Sequence, residues 1–134
     1  MKKFELELRV YFEDTDAGGI VYHANYLKFM ERARTDWVRS MGISQQELLE
    51  HSIAFVVKDM EIKFQQSAVL DDLLRITCEP VKIGNVSVKM TQNIYNNKNQ
   101  CLVSAQVKIG CVNTVDKTPA KIPDAIMRDM RSDT

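Results

Sequence analysis

Residues 23–42 read His-Ala-Asn-Tyr-Leu-Lys-Phe-Met-Glu-Arg-Ala-Arg-Thr-Asp-Trp-Val-Arg-Ser-Met-Gly. Tyr26, Phe29, Met30, Ala33, Trp37 and Met41 recur at helical spacing and form one apolar stripe. Lys28, Glu31, Arg32, Arg34, Asp36 and Arg39 are read onto the opposite, solvent-facing side. Gly42 stands where a helix stops, since a C′ residue adopts a left-handed conformation that glycine takes without strain. No other segment carries so long a helical pattern.

Most of the surrounding chain has the period of a strand. Ahead of the helix, about residues 4–12, Leu6, Leu8, Val10 and Phe12 alternate with Glu5, Glu7 and Arg9. Behind it, Ser44 and Glu47 form an S-x-x-E capping box that opens a short helix carrying Leu48 and Leu49. From Ile53 the period is two. Ala54, Val56, Met60, Ile62 and Phe64 are expected on one strand face, with Phe55, Val57, Asp59, Glu61 and Lys63 on the other. Three further strands are expected at about 73–82, 86–95 and 101–113, separated by the turn-rich Ile83-Gly84-Asn85 and Asn96-Asn97-Lys98-Asn99. Pro119 and Pro123 punctuate the tail before a final, half-exposed helix over 124–131.

This order predicts an α+β fold, a five-stranded antiparallel sheet wrapped around one long helix. With 134 residues the chain is read as one domain over 1–134. A single helix leaves the second face and the edges of the sheet uncovered, which argues for self-association through the sheet. An apolar share of 45% and a charged share of 27% are those of a soluble protein, and no apolar run is long enough for a membrane span or a signal peptide. A cytoplasmic location is expected. Lys plus Arg and Asp plus Glu both number 18, so there is no global electrostatic case for nucleic acid, although a local patch could hold a polyanionic small molecule. Cys78, Cys101 and Cys111 are odd in number and lack C-x-x-C spacing; buried, reduced thiols are expected. With only His23 and His51, the chain suggests no metal site.

Function is concentrated just before the long helix, in Tyr11-Phe12-Glu13-Asp14-Thr15-Asp16-Ala17-Gly18-Gly19-Ile20-Val21-Tyr22-His23-Ala24-Asn25-Tyr26. A calcium loop starting at Asp14 fails, because Asn25 stands where a bidentate Glu is needed and the flanks are strand then helix. Gly18-Gly19 belongs to neither phosphate-loop pattern, and no G-x-S-x-G supports a serine triad. What remains is an aspartate in a glycine turn close to a helix N-terminus, whose free N–H groups and dipole favour negative charge. Each residue also has an ordinary use. Asp16 makes an Asx-turn, His23 sits in a first helical turn, Tyr22 and Tyr26 pack, and Thr15 and Asn25 shape the loop.

Taken together, Arg9 to Tyr26 followed by Phe29-Met30-Glu31-Arg32-Ala33-Arg34-Thr35 resembles the active-site signature of the hotdog-fold acyl-CoA thioesterases related to 4-hydroxybenzoyl-CoA thioesterase. It looks most like the branch associated with the bacterial Tol–Pal envelope system. The likeness continues through Ser44-Gln45-Gln46, Ala54-Phe55-Val56-Val57 and Leu70-Asp71-Asp72. The resemblance implies a hotdog fold, dimers pairing their sheets edge to edge and assembling to homotetramers, and active sites at the dimer interface. It implies hydrolysis of acyl-CoA, with acyl carrier protein as the other candidate carrier, no cofactor, and room for peripheral membrane association. Asp16 matches the catalytic carboxylate, as nucleophile or general base, and His23 the position whose backbone N–H polarises the thioester carbonyl. Gly18, Gly19, Tyr22, Asn25 and Tyr26 are the expected substrate-binding residues. Relatives commonly carry tyrosine at the position of Phe12, so a role for that hydroxyl is lost or passes to Tyr11. Other readings open at this point are a non-catalytic acyl-thioester-binding or envelope-associated scaffold protein, and a hotdog dehydratase.

Overall fold

The computed structural model describes residues 3–132. In chain order it contains β1 (Phe4–Arg9), a 3-10 turn (Phe12–Asp14), α1 (His23–Ser40), α2 (Gln45–Glu50), β2 (Ile53–Phe64), β3 (Leu73–Ile83), β4 (Ser87–Tyr95), β5 (Cys101–Asn113) and α3 (Asp124–Arg131). The strands form one sheet in the order β1-β3-β4-β5-β2, antiparallel throughout. This is the expected α+β architecture, with β1 and β2 at the edges. Among the described residues no helix is long and apolar enough to cross a membrane.

The predicted stripe of α1 is what faces the sheet. Tyr26, Phe29, Met30, Ala33 and Trp37 are buried and join a cluster with Leu74, Ile76, Met90, Ile94, Val103 and Val107. Burial of each large apolar side chain contributes about 1.5–3 kcal/mol, so this stripe docks a helix that would be marginal alone. Gly42, at φ +89°, follows the C-cap Met41 and lets the chain turn away. Ser44 caps α2 through the Glu47 N–H at 3.1 Å, while the Glu47 carboxylate meets the Ser44 hydroxyl at 3.3 Å. From the inner side, α3 adds buried Ile126 and Met130.

Four expectations need correction. The first strand ends at Arg9, not near residue 12. Tyr11 and Phe12 leave the sheet because the Asp14 carboxylate accepts the Tyr11 N–H at 2.8 Å and closes a tight turn. In β2 the inward face changes parity partway along. Val57 opposes Ile109 and Asp59 opposes Lys108, so Lys58 is an extra, bulged residue. Ile53 and Phe55 therefore pack on the core before the bulge, and Met60 and Ile62 after it. Lys58 lies over Gly110, where an added Cβ would come within 2.6 Å of its Cε. Arg34, expected on the solvent face, is half-buried, and its Nη1 donates to the fully buried Gln92 Oε1 at 2.8 Å. All three cysteines are free, but only Cys78 and Cys111 are buried, Cys101 being half-exposed at the start of β5.

Candidate active site

The segment between the 3-10 turn and α1 closes on itself. Thr15 bridges to Val21, the Asp16 N–H donates to the Ile20 carbonyl at 2.9 Å, and the Gly19 N–H donates to the Asp16 carbonyl at 3.0 Å. Gly19 takes φ +80°, which glycine adopts at no steric cost. Asp16 Oδ1 accepts the Gly18 N–H at 2.8 Å, an Asx-turn of the kind aspartate forms in loops. The other carboxylate oxygen makes no protein hydrogen bond among the described residues, and the side chain is exposed.

Two attachments hold this loop against its neighbours. The Asp14 carbonyl accepts both the Tyr22 N–H at 3.1 Å and Asn25 Nδ2 at 2.9 Å, tying the loop to the start of α1. On the other side, Ile20 bridges to Val69 and the Val21 N–H donates to the Ala68 carbonyl at 2.9 Å. The Ala68 N–H in turn donates to the buried Tyr26 Oη at 2.9 Å. Burial pushes the Tyr26 phenol above its ordinary pKa, against the lowering effect of that hydrogen bond.

The result is an open cleft lined by Asp16, Ile20, Val21, His23, Tyr26, Phe64, Gln65, Gln66 and Ser67. His23 is the first residue of α1, and the N-cap Tyr22 supplies no side-chain cap. Among the described residues the N–H groups of His23 and Ala24 find no acceptor, so two of the helix's orphan donors and its positive dipole end remain available. The imidazole of His23 lies edge-on to Phe64, with centroids 6.0 Å apart, and Tyr26 meets the same ring at 5.9 Å. A carboxylate, a helix N-terminus and an aromatic floor thus face one space. That combination can attack an acyl carbon and hold the charge left on its oxygen.

Asp16, His23 and Tyr26 are brought together as the sequence suggests. Gly18 and Gly19 serve the turn that holds Asp16, and Gly19 lines a second cleft with Phe12, Thr15, Asp16, Ala17 and Leu70. Tyr22 is half-exposed against the His23 ring, 4.7 Å between centroids, and does not line the main cleft. Asn25 spends its side chain on the Asp14 carbonyl. Phe12 and Tyr11 are both exposed, outside the main cleft. Sequence reasoning missed Phe64, Gln65, Gln66 and Ser67. Phe64 ends β2 and the other three follow it, where the Gln65 and Gln66 N–H groups both donate to the Leu102 carbonyl at 2.8 and 3.1 Å. The polar Gln-Gln-Ser run after an apolar strand was the available signal.

Known proteins resemble this chain in sequence and in fold. The model of the thioesterase superfamily matches residues 18–103. The acyl-CoA thioester hydrolase YbgC of Escherichia coli O6:H1 is 41% identical over 128 residues, 96% of each chain. The acyl-CoA thioesterase YbgC of Haemophilus influenzae is 42% identical over 124 residues, 92% of this chain and 90% of that one. In fold, the chain superposes on the crystal structure of a 1,4-dihydroxy-2-naphthoyl-CoA thioesterase from Synechocystis with a TM-score of 0.89, at 23% identity and covering 96% of each. With its five antiparallel strands around one long helix in the hotdog arrangement, the chain belongs to the thioesterase superfamily.

Proposed function

We propose that this protein is one thioesterase domain that hydrolyses acyl-CoA to the free acid and coenzyme A in the cytoplasm, with Asp16 and the α1 N-terminus as its working parts. The observation that carries this reading is that Asp16 and His23, the first residue of a helix without a side-chain cap, line the same cleft. The activity named for the Escherichia coli and Haemophilus influenzae relatives supports it.

A thioester carbonyl is electrophilic enough for a carboxylate, or water directed by one, to attack. The free oxygen of Asp16 either bonds to the acyl carbon or takes the proton of the attacking water, while Gly18 holds the other oxygen in place. The carbonyl oxygen becomes an oxyanion and is stabilised by the His23 N–H, a contribution typically worth on the order of 10²–10³ in rate. As the carbonyl re-forms, the C–S bond breaks and coenzyme A leaves as its thiolate with little assistance. Attack by water gives the free acid at once, whereas attack by the carboxylate leaves an anhydride with Asp16 that water then cleaves to the free acid and the regenerated carboxylate. Phe64 and Tyr26 pack against the acyl group, and the amides of Gln65 and Gln66 line the rim. Two copies join along the β2 edge, which exposes Val56, Val57 and Phe64, and pairs of dimers complete a tetramer.

Free-thiol release from a panel of acyl-CoAs, measured for the wild type and Asp16→Asn, tests the reading. The asparagine keeps an oxygen for the Gly18 N–H, so the fold is retained while turnover falls about 10²-fold or more. Near-normal turnover by the variant would remove Asp16 from the chemistry, and acyl-CoA binding without thiol release by the wild type would remove the activity.

A further inference from the structure

Asp16 lines two clefts, and the reaction proposed above uses one of them. The first runs past His23 and Tyr26 to Phe64. The second is formed by Phe12, Thr15, Asp16, Ala17, Gly19 and Leu70. Asp16 is the one residue that the two linings share. A thioester has the matching shape, since its reacting carbon carries an acyl group in one direction and a thiol arm in another. With the acyl group on Phe64 and Tyr26, the arm needs its own path away from Asp16.

The second cleft is uncharged apart from Asp16, and its walls are apolar. Phe12 is 81% exposed, Leu70 is 41% exposed, and the bridged pair Ile20 and Val69 is exposed beside Leu70. A single exposed apolar side chain is ordinary, whereas a group of them around a cleft marks a surface that something covers. Both walls are fixed in advance. The Tyr11 N–H donates to the Asp14 carboxylate and the Thr15 hydroxyl to the Phe12 carbonyl, each at 2.8 Å, which holds the turn that carries Phe12. Facing it, Arg9 Nη1 donates to the Asp71 carbonyl at 2.8 Å and the Val69 N–H to Asp72 Oδ2 at 3.0 Å, which holds the turn that carries Leu70. Between the walls the backbone is unspent. The Ala17 N–H and the Ala17 and Gly18 carbonyls make no hydrogen bond among the described residues. A preformed trough with apolar walls and free amide groups suits a chain in which amides alternate with methylene and methyl groups. A plain acyl chain would use the walls and leave the amide groups unpaired.

We propose that this second cleft seats the thiol arm of the substrate, the pantetheine chain of coenzyme A. Its methyl-bearing segment lies between Phe12 and Leu70, and its amides meet the backbone at Ala17 and Gly18. The inference rests on the thioesterase reading and adds to it a residue that selects the thiol, Phe12.

One acyl group carried on three thiols tests this: coenzyme A, pantetheine, and N-acetylcysteamine, which lacks the methyl-bearing segment. Phe12→Ala is expected to raise KM about five- to tenfold for the first two, with kcat close to that of the wild type. KM for the N-acetylcysteamine thioester should not change. Phe12→Tyr, which keeps the ring, should match the wild type with all three. Replacing butanoyl by octanoyl should leave these ratios as they are. Binding of S-butyl-coenzyme A, a thioether that is not hydrolysed, should weaken by the same factor in Phe12→Ala. This binding needs no turnover, so its loss in Phe12→Ala would support the cleft assignment even where absent thiol release had removed the hydrolase reading. An unchanged KM for acyl-CoA in folded Phe12→Ala, or equal effects on all three thiols, would overturn the proposal. An effect that grows with acyl length would give the cleft to the acyl chain instead. Loss of subunit assembly in size-exclusion chromatography, with thioether affinity unaltered, would give it to a second copy of the chain.

Discussion

The Gly18 N–H donates to Asp16 Oδ1 at 2.8 Å, and an alanine Cβ at position 18 would lie 3.3 Å from that same oxygen. Gly18 therefore acts on the geometry of the carboxylate, whereas Gly19 acts on the backbone. At φ +80° Gly19 has open space around its Cα, yet any L-residue there is strained by about 1–2 kcal/mol. The two alanine substitutions should separate. Gly19→Ala lowers the melting temperature, while Gly18→Ala lowers thiol release several-fold with a smaller change in melting temperature. Parallel thermal denaturation and steady-state assays of both variants check this, and identical profiles would contradict it.

Tyr26 contributes differently, since its hydroxyl is the acceptor for a buried backbone donor 42 residues away at Ala68. Tyr26→Phe leaves the ring against Phe29 and Phe64 but strands the Ala68 N–H. Leaving such a group unpaired costs about 1–3 kcal/mol. Urea unfolding of the variant should show that loss with an unchanged m-value. Turnover should fall as well, because Ala68 anchors Val21 beside the cleft.

What was legible in the sequence is what local pattern controls. The α1 stripe, its stop at Gly42 and the adjacency of Asp16 to His23 each depend on residues within a few turns of one another. The misread features depend on distant partners. Arg34 looks like a surface cation until Gln92 on β4 is placed beneath it. The parity of β2 changes at Lys58 because Gly110 on β5 leaves room for its side chain, and strict alternation cannot show a bulge. Phe64 to Ser67 reach the cleft because the Leu102 carbonyl holds the chain there. Pairing across the sheet thus decides both which residues join the site and which leave the surface.

Cys78 makes alkaline stability a sensitive measurement. Burial pushes its thiol from an ordinary value of 9.0 up to about 12, partly opposed by Arg34 and by the hydrogen bond from Gln92. Between those values the unfolded chain loses the thiol proton while the folded chain keeps it. The stabilisation is complete below about pH 9 and declines as pH rises toward 12, by at most about 1.4 kcal/mol per pH unit for this group. Cys111 is shifted in the same direction by burial and adds to the decline. Urea unfolding at pH 8 and pH 10 should show a smaller loss of stability in Cys78→Ala than in the wild type. Equal losses would mean that the buried thiol is not responsible.

His23 offers a way to delete a single backbone donor. It is the first helical residue of α1, a position where proline is favoured because its N–H has no intrahelical partner. The preceding Tyr22, at φ −64° and ψ 131°, already has the extended conformation required before proline. His23→Pro therefore removes the proposed oxyanion donor without disturbing the helix start, and His23→Ala removes the imidazole while keeping the donor. If the N–H stabilises the oxyanion, the proline variant loses on the order of 10²–10³ in kcat, with KM and melting temperature close to the wild type. The alanine variant then stays within a few-fold of the wild type. Because proline removes the imidazole as well, equal large losses in the two variants would place the catalytic contribution in the imidazole ring, beside Phe64, and leave the helix N-terminus with a purely structural part.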